Sequence, residues 1–339
     1  MHIIATVGPN THNKNILKSI INNGVNCLRL NFSHGNYDEF SEVISLARSI
    51  KRDIHILQDL SGSKIRISYK LPYIMKIYDN EEVCFCGEDV YLNNKSKELK
   101  CIPLNIENDK LINTKANIIS VKDNTMIFKI KEINRLEIIA VAIKGGIIRA
   151  GKGCNIKGFD RDNEKISIKD IIDINFGLEN NVDSICQSFV EKKEDIEILK
   201  KYINKTNSIN NVPYIWGKIE TQKGIDNISE IIDVSDGIII GRGDLIPETS
   251  LKETPINQDN IIKKCKEKNK PIIIGTHILN SMKNGKNPSL SEVESIYNHV
   301  KNGVSGFLLS GETSIGKAPI KTVKLLNELI SRYEVVHEK

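Results

Sequence analysis

Short runs of apolar and β-branched residues alternate along the chain with longer stretches whose apolar positions recur at helical spacing. This predicts strands separated by helices, the pattern of a parallel sheet wrapped by helices. The expected strands are His2–Val7, Cys27–Asn31, His55–Asp59, Asp183–Gln187, Tyr214–Lys218, Gly237–Gly241, Pro271–Gly275 and Gly306–Leu309. The expected helices include Asn15–Asn23, Asp38–Ile50, Ile168–Ile174, Lys193–Tyr202, Ile256–Lys268, Ser289–Val300 and a last one from Pro319 to Tyr333. Eight such strands, with helices between and after them, fit an α/β fold closed as a (β/α)8 TIM barrel better than an open doubly wound sheet.

The third strand is not followed by its helix. Residues 67–155 read instead as short alternating runs, including Glu82–Phe85, Asn117–Val121, Thr125–Ile130 and Glu137–Ile143, between turns rich in Asn, Asp, Gly and Lys. The expected organisation is therefore a catalytic barrel, 1–66 and 156–339, with a small β-barrel domain, 67–155, inserted after the third strand. An insert at the carboxyl end of a barrel strand is positioned to act as a lid over substrates.

With 339 residues and 40% hydrophobic content the chain can bury a large core. Its net charge of +5 comes from 48 basic and 43 acidic side chains dispersed along the sequence. No basic cluster suggests a nucleic-acid or membrane partner. No apolar run approaches the ~20 residues that span a bilayer, and the N-terminus opens directly into a strand, so a cytoplasmic location is expected. Seven cysteines, without a CxxC pair, suggest reduced thiols rather than a disulfide framework. Cys84 and Cys86 alternate on one face of a strand and read as packed in a sheet.

Polar residues gather at the predicted strand ends, where a barrel builds its site. Strand two runs into Arg29-Leu30-Asn31-Phe32-Ser33-His34-Gly35, and strand three ends at Asp59. Strand five ends at Lys218, with Glu220 two residues on, strand six leads into Arg242-Gly243-Asp244, and Thr276 follows strand seven. Carboxylates such as Glu220 and Asp244 suit Mg2+ or Mn2+. Arg29 and Lys218 suit a phosphoryl group in transfer, where catalysis is mostly positioning and electrostatics. Each alone reads as an ordinary surface ion pair; their joint occurrence on strands that barrel topology brings together favours a site.

Gly8-Pro9, the segment RLNFSHG from Arg29, Lys218-Ile219-Glu220, Arg242-Gly243-Asp244-Leu245, the stretch from Gly275 to Met282 and LSGET from Leu309 resemble the pyruvate kinases in order and approximate spacing. The resemblance covers nearly the whole chain and is weakest in the insert. It implies transfer of the phosphoryl group of phosphoenolpyruvate to ADP, giving pyruvate and ATP. Glu220 and Asp244 would hold the divalent metal, and Arg29 and Lys218 would stabilise the moving phosphoryl group. The backbone at Gly243 and Asp244, with Thr276, would receive the substrate carboxylate, and Thr276 also lies where the enolate is protonated. Pro9, Asn31, His34 and Arg66 resemble the residues that meet the nucleotide, and Lys152 resembles the lysine at the lid's return hinge.

The family's monovalent-cation pocket corresponds to Asn31, Ser33, Asp59 and the carbonyl of Leu60. A threonine and glutamate pair accompanies potassium dependence in the family; here Leu60 and Lys64 stand at those places, resembling the potassium-independent branch. A tethered ammonium can supply the charge that K+ otherwise brings, so K+ is expected not to be required. Other departures are Ser61 and Ser63 for a lysine and a proline, Ile246-Pro247 for Gly-Val, His277 for glutamine, and Lys122-Asp123-Asn124 for paired aspartates, with Asp123 as a lid contact. They motivate a second reading, a related enzyme using another enol phosphate or acceptor in a specialised pathway. A metal-dependent pyruvate or enolate aldolase and a non-catalytic regulatory paralogue are further alternatives. The nucleotide-type insert argues against the first, and the intact set Arg29, Lys218, Glu220, Asp244 and Thr276 against the second. Pyruvate kinases generally continue into a C-terminal α/β domain where this sequence stops at Lys339. The expectation is an enzyme without effector control through that domain, possible as a homodimer through barrel helices such as Ser289–Val300.

Overall fold

A computed structural model describes residues 1–92, 99–122, 124–161, 166–206 and 212–337. Asp123 lies outside the described residues. The chain divides into two compact units, 1–62 with 163–243 and 254–339, and 63–162 with 244–253. In chain order, β1 (His2–Thr6), β2 (Cys27–Asn31) and β3 (His55–Asp59) belong to the first. β4 (Met75–Ile77), β5 (Glu82–Gly87), β6 (Lys100–Leu104), β7 (Ile118–Val121), β8 (Met126–Ile133), β9 (Ile138–Lys144), β10 (Gly146–Ile148) and β11 (Cys154–Ile156) make up the second. β12 (Ser184–Gln187), β13 (Tyr214–Ile219), β14 (Gly237–Gly241), β15 (Ile272–Gly275) and β16 (Gly306–Leu309) return to the first.

The first unit is a closed barrel of parallel strands in the order β1-β16-β15-β14-β13-β12-β3-β2. Strands buried on both faces must be apolar throughout, and β14 and β15, GIIIG and IIIG, are buried at every position. Ile4, Leu57, Cys186, Ile239, Ile273 and Leu308 pack together as one cluster, in keeping with a barrel interior filled by side chains. Helices cover the outside. Tyr37–Ile50 buries Phe40, Val43, Ile44 and Ala47, and its N-terminus is capped by the Asn36 side chain, which accepts from Glu39 N. Leu290–Lys301 begins one residue later than the pattern suggested because Ser289 is its cap, paired reciprocally with Glu292. Ile168–Glu179 runs past the predicted Ile174 and through Gly177. A Cβ at Gly177 would meet Gln58 Oε1 at 2.0 Å, so close packing rather than helix propensity selects glycine there.

In the second unit, one sheet has the order β11-β7-β8-β9-β5-β6, and β10 pairs with β4 in another. Arg66 and Ile67 make isolated antiparallel bridges to Gly153, next to β11, and to Leu104 at the end of β6. Phe85 and Phe128 meet edge to face at 5.1 Å in the core of the unit, among Val83, Ile102, Ile119 and Ile138. This unit is wider than the 67–155 read from the strand pattern. It begins at residue 63 and takes in 244–253, because Lys64, Asn155 and Arg161 bond to Asp244 and Glu248. Among the described residues, no helix is long and apolar enough to cross a membrane.

Candidate functional site

At the carboxyl ends of the barrel strands, one carboxylate organises the charges. Asp59, 1% exposed, accepts from Lys218 Nζ at 2.7 and 2.9 Å and from Arg29 Nε at 2.6 Å. Arg29 Nη1 also donates to Thr6 Oγ1 at 2.9 Å, and Ser188 Oγ donates to Asp59 at 3.2 Å. Burial would raise the Asp59 carboxyl, but Lys218 and Arg29 outweigh it and hold it below the usual carboxylate range. Burial would likewise lower Lys218, yet Asp59 and Glu220 push its ammonium above its ordinary value. Lys218 is therefore a fixed cation at neutral pH.

Glu220 is buried, with one carboxylate oxygen 3.9 Å from Lys218 Nζ and the other accepting from Phe189 N at 3.0 Å. Phe189 sits at φ 55°, a left-handed conformation that a bulky residue adopts only under constraint; here it aims an N–H at the glutamate. A Cβ at Gly241 would meet the Glu220 side chain at 2.7 Å, so β14 ends on glycine beside it.

Thr276 and His277 follow β15 with φ of 62° and 54°. Consecutive left-handed residues, one of them β-branched, cost about 1–3 kcal/mol each. Arg242 holds the turn: its Nη2 donates to Thr276 O at 2.6 Å and to His277 O at 3.2 Å. Gly243 N donates to Thr276 Oγ1 at 2.8 Å. Burial lowers Arg242 to about 10, with Glu312 opposing, so its guanidinium stays charged at neutral pH.

On the loop after β2, Asn31 Oδ1 accepts from Ser33 N at 3.2 Å, and Ser33 Oγ donates to Ser61 Oγ at 3.3 Å. The Leu60 carbonyl accepts from Ser188 Oγ at 2.7 Å. Pro9 and His34 are exposed. The structure thus brings Arg29, Asp59, Lys218 and Glu220 together and sets Thr276 against Gly243. A cavity of about 460 Å³ lies at the other end of the barrel, lined by His2, Cys27, His55, Ser184 and Tyr214 near the amino ends of the strands.

The remaining candidates belong to the second unit. Lys64 Nζ donates to Asp244 Oδ2 at 2.7 Å, and Asn155 Nδ2 reaches Asp244 Oδ1 and Glu248 Oε1, both at 3.3 Å. Arg161 pairs with Glu248 at 2.5 Å, both side chains 2% exposed. Burial raises the Glu248 carboxyl and Arg161 opposes the rise. Gly153 makes room for Lys64, whose Cε would lie 2.9 Å from a Cβ there. Arg66 Nη1 donates to Gly151 O at 3.0 Å, and Lys152 is exposed while its carbonyl accepts from Ile67 N. Sequence reasoning missed Ser188, Phe189, Asn155, Arg161 and Glu248 as contributors. It named Arg242 only as part of a motif, where an arginine before Gly-Asp was the available signal.

A family model described as "Pyruvate kinase, barrel domain" matches residues 1–323. The chain is 33% identical over 341 residues to a pyruvate kinase of Clostridium perfringens, covering 98% of this chain and 70% of that protein. It is 33% identical over 338 residues to one of Thermotoga maritima, covering 98% and 70%. It is 32% identical over 335 residues to one of Sporosarcina psychrophila, covering 96% and 56%.

Proposed function

Because the chain belongs to the pyruvate kinase family of phosphotransferases, we propose that it moves the phosphoryl group of phosphoenolpyruvate to ADP in the cytoplasm, without requiring K+. The observation that carries this reading is the pair of cations, Lys218 and Arg29, fixed on the buried carboxylate of Asp59 beside Glu220. Such a cluster stabilises charge on a transferring phosphoryl group and needs no reorganisation to do so. Glu220 and Asp244 offer hard oxygen donors of the kind Mg2+ or Mn2+ takes, and would hold that ion. When bound, the ion neutralises phosphate charge. Gly243 and Thr276 would receive the substrate carboxylate, and the Thr276 side would deliver the proton to the enolate. Pro9, Asn31, His34, Arg66 and Lys152 would meet the nucleotide, and the inserted unit would close as a lid. A homodimer would use barrel helices such as Leu290–Lys301.

Independence of K+ rests on Lys64, which brings an ammonium to Asp244. A second reading, another enol phosphate or acceptor, is favoured by the exposed His277 beside Thr276. The test is a lactate-dehydrogenase-coupled assay with phosphoenolpyruvate, ADP and Mg2+, followed by a screen of nucleotides and enol phosphates. Turnover with phosphoenolpyruvate and ADP is expected. No turnover with that pair, alongside turnover of a different enol phosphate, selects the second reading.

A further inference from the structure

Strand β5 places alternate residues on opposite faces of its sheet. Val83 and Phe85 join the hydrophobic core of the unit, whereas Cys84 and Cys86 do not. On β6, Cys101 stands directly beside Cys84 in the parallel register. On the other side, Ile139 of β9 opposes Cys84 and Ile138 opposes Phe85. Continuing that antiparallel register by one residue brings Glu137 level with Cys86 on the face the thiols occupy. Three neighbouring strands thus gather three thiols and a carboxylate on the side away from the core.

The donor atoms are close. Cys84 Sγ, Cys101 Sγ and a Glu137 carboxylate oxygen all lie within 4.8 Å of one another. Cys86 Sγ is 3.4 Å from Cys101 Sγ. A tetrahedral zinc ion, with Zn–S near 2.3 Å, holds its sulfurs roughly 3.8 Å apart. Cys84 and Cys86 are fully buried and Glu137 is 8% exposed, while Cys101 is partly open to solvent. A carboxylate and thiols at these separations are donors that zinc takes together. The carboxylate also argues against Cu(I), which thiolates alone would suit, and for zinc, which accepts both donors.

We infer that Cys84, Cys101 and Glu137 form a three-ligand zinc site in the inserted β unit, with Cys86 beside Cys101 and outside the ligand set, separate from the carboxylates of the phosphotransfer reaction. Zinc there fastens β5, β6 and β9 at an edge of the sheet.

The test uses the whole chain, stripped of metal under reducing conditions and kept in excess Mg2+ so that oxygen-donor sites are filled. Zinc is titrated against a chromophoric chelator, and cobalt is substituted to read thiolate-to-metal charge transfer. One tightly held zinc per chain and a cobalt–thiolate band are expected. Cys84→Ser and Cys101→Ser are each expected to weaken zinc binding by more than the 10–100-fold that an outer-shell partner is typically worth, and together to abolish the band. Glu137→Gln should weaken binding and retain the band, and Cys265→Ala should change neither. Where a serine variant fails to fold, the wild-type stoichiometry and cobalt spectrum decide. No charge-transfer band in the reduced wild type, or equal zinc affinity in wild type and the Cys84/Cys101 double variant, overturns the proposal. So does a chain that yields a Cys86–Cys101 disulfide and no zinc.

Discussion

Lys218 donates to both carboxylate oxygens of Asp59, at 2.7 and 2.9 Å, in a position buried within the barrel. Arg29 reaches the same carboxylate, so one anion orients two cations. Removing either side of a buried, hydrogen-bonded charge pair is far more costly than the pair's net contribution suggests.

Asp59→Asn is therefore expected to destabilise the fold by about 3–5 kcal/mol at pH 7, and to lower activity by loosening Lys218 and Arg29. The sign with pH follows from the lowered Asp59 carboxyl. Its contribution is full above the ordinary carboxylate value of about 3.9 and is lost as pH falls through the lower folded value. Denaturant melts of wild type and variant should thus converge in acid; a constant gap down to the most acidic condition would contradict the assignment.

Arg242→Lys keeps the charge but loses the planar fork that holds Thr276 O and His277 O. The strained turn should relax and misplace the Thr276 hydroxyl, with kcat/KM falling by about 10²-fold. Steady-state kinetics check this, with thermal melts to separate misplacement from unfolding.

Wild-type activity should not change when KCl replaces a potassium-free salt at constant ionic strength. Lys64→Glu combined with Leu60→Thr should lose about 10²-fold in rate without K+ and regain most of it when K+ is added. Strong stimulation of the wild type by K+ would remove the role given to Lys64.

His299 is buried against Phe307, and burial with the nearby Arg242 lowers it to about 4. A depressed histidine adds stability that is complete above its unfolded value of about 6.5 and is lost as pH falls toward the folded one. The interval corresponds to about 3 kcal/mol, at about 1.4 kcal/mol for each tenfold in proton affinity. Wild type should weaken between about pH 6.5 and 4, and His299→Leu should show a flatter profile there; parallel profiles would contradict this.

The barrel was legible because buried parallel strands must be apolar without interruption, as in Ile272–Gly275 and Gly237–Gly241. The three-residue strands β4 and β10 carry too few positions for a period to appear. β6 contains Pro103, which argues against a strand until its pairing is seen. Helix Arg242–Glu248 contains Pro247, which obscures a helical pattern, and is not among the helices expected from the sequence. Asp59 was read as a cation ligand, since nothing in sequence announces that Lys218, 159 residues away, and Arg29 share it. Cys84 and Cys86 were correctly put on one face, but the arrival of Cys101 and Glu137 depends on strand register, which local patterning does not fix.

The account stands most directly on the coupled assay of Lys218→Met beside wild type, with folding checked by near-ultraviolet circular dichroism. It predicts a loss of at least about 10²–10³ in kcat with KM changed far less, as removal of charge stabilisation in the transition state requires. Equal kcat in the two proteins would contradict it.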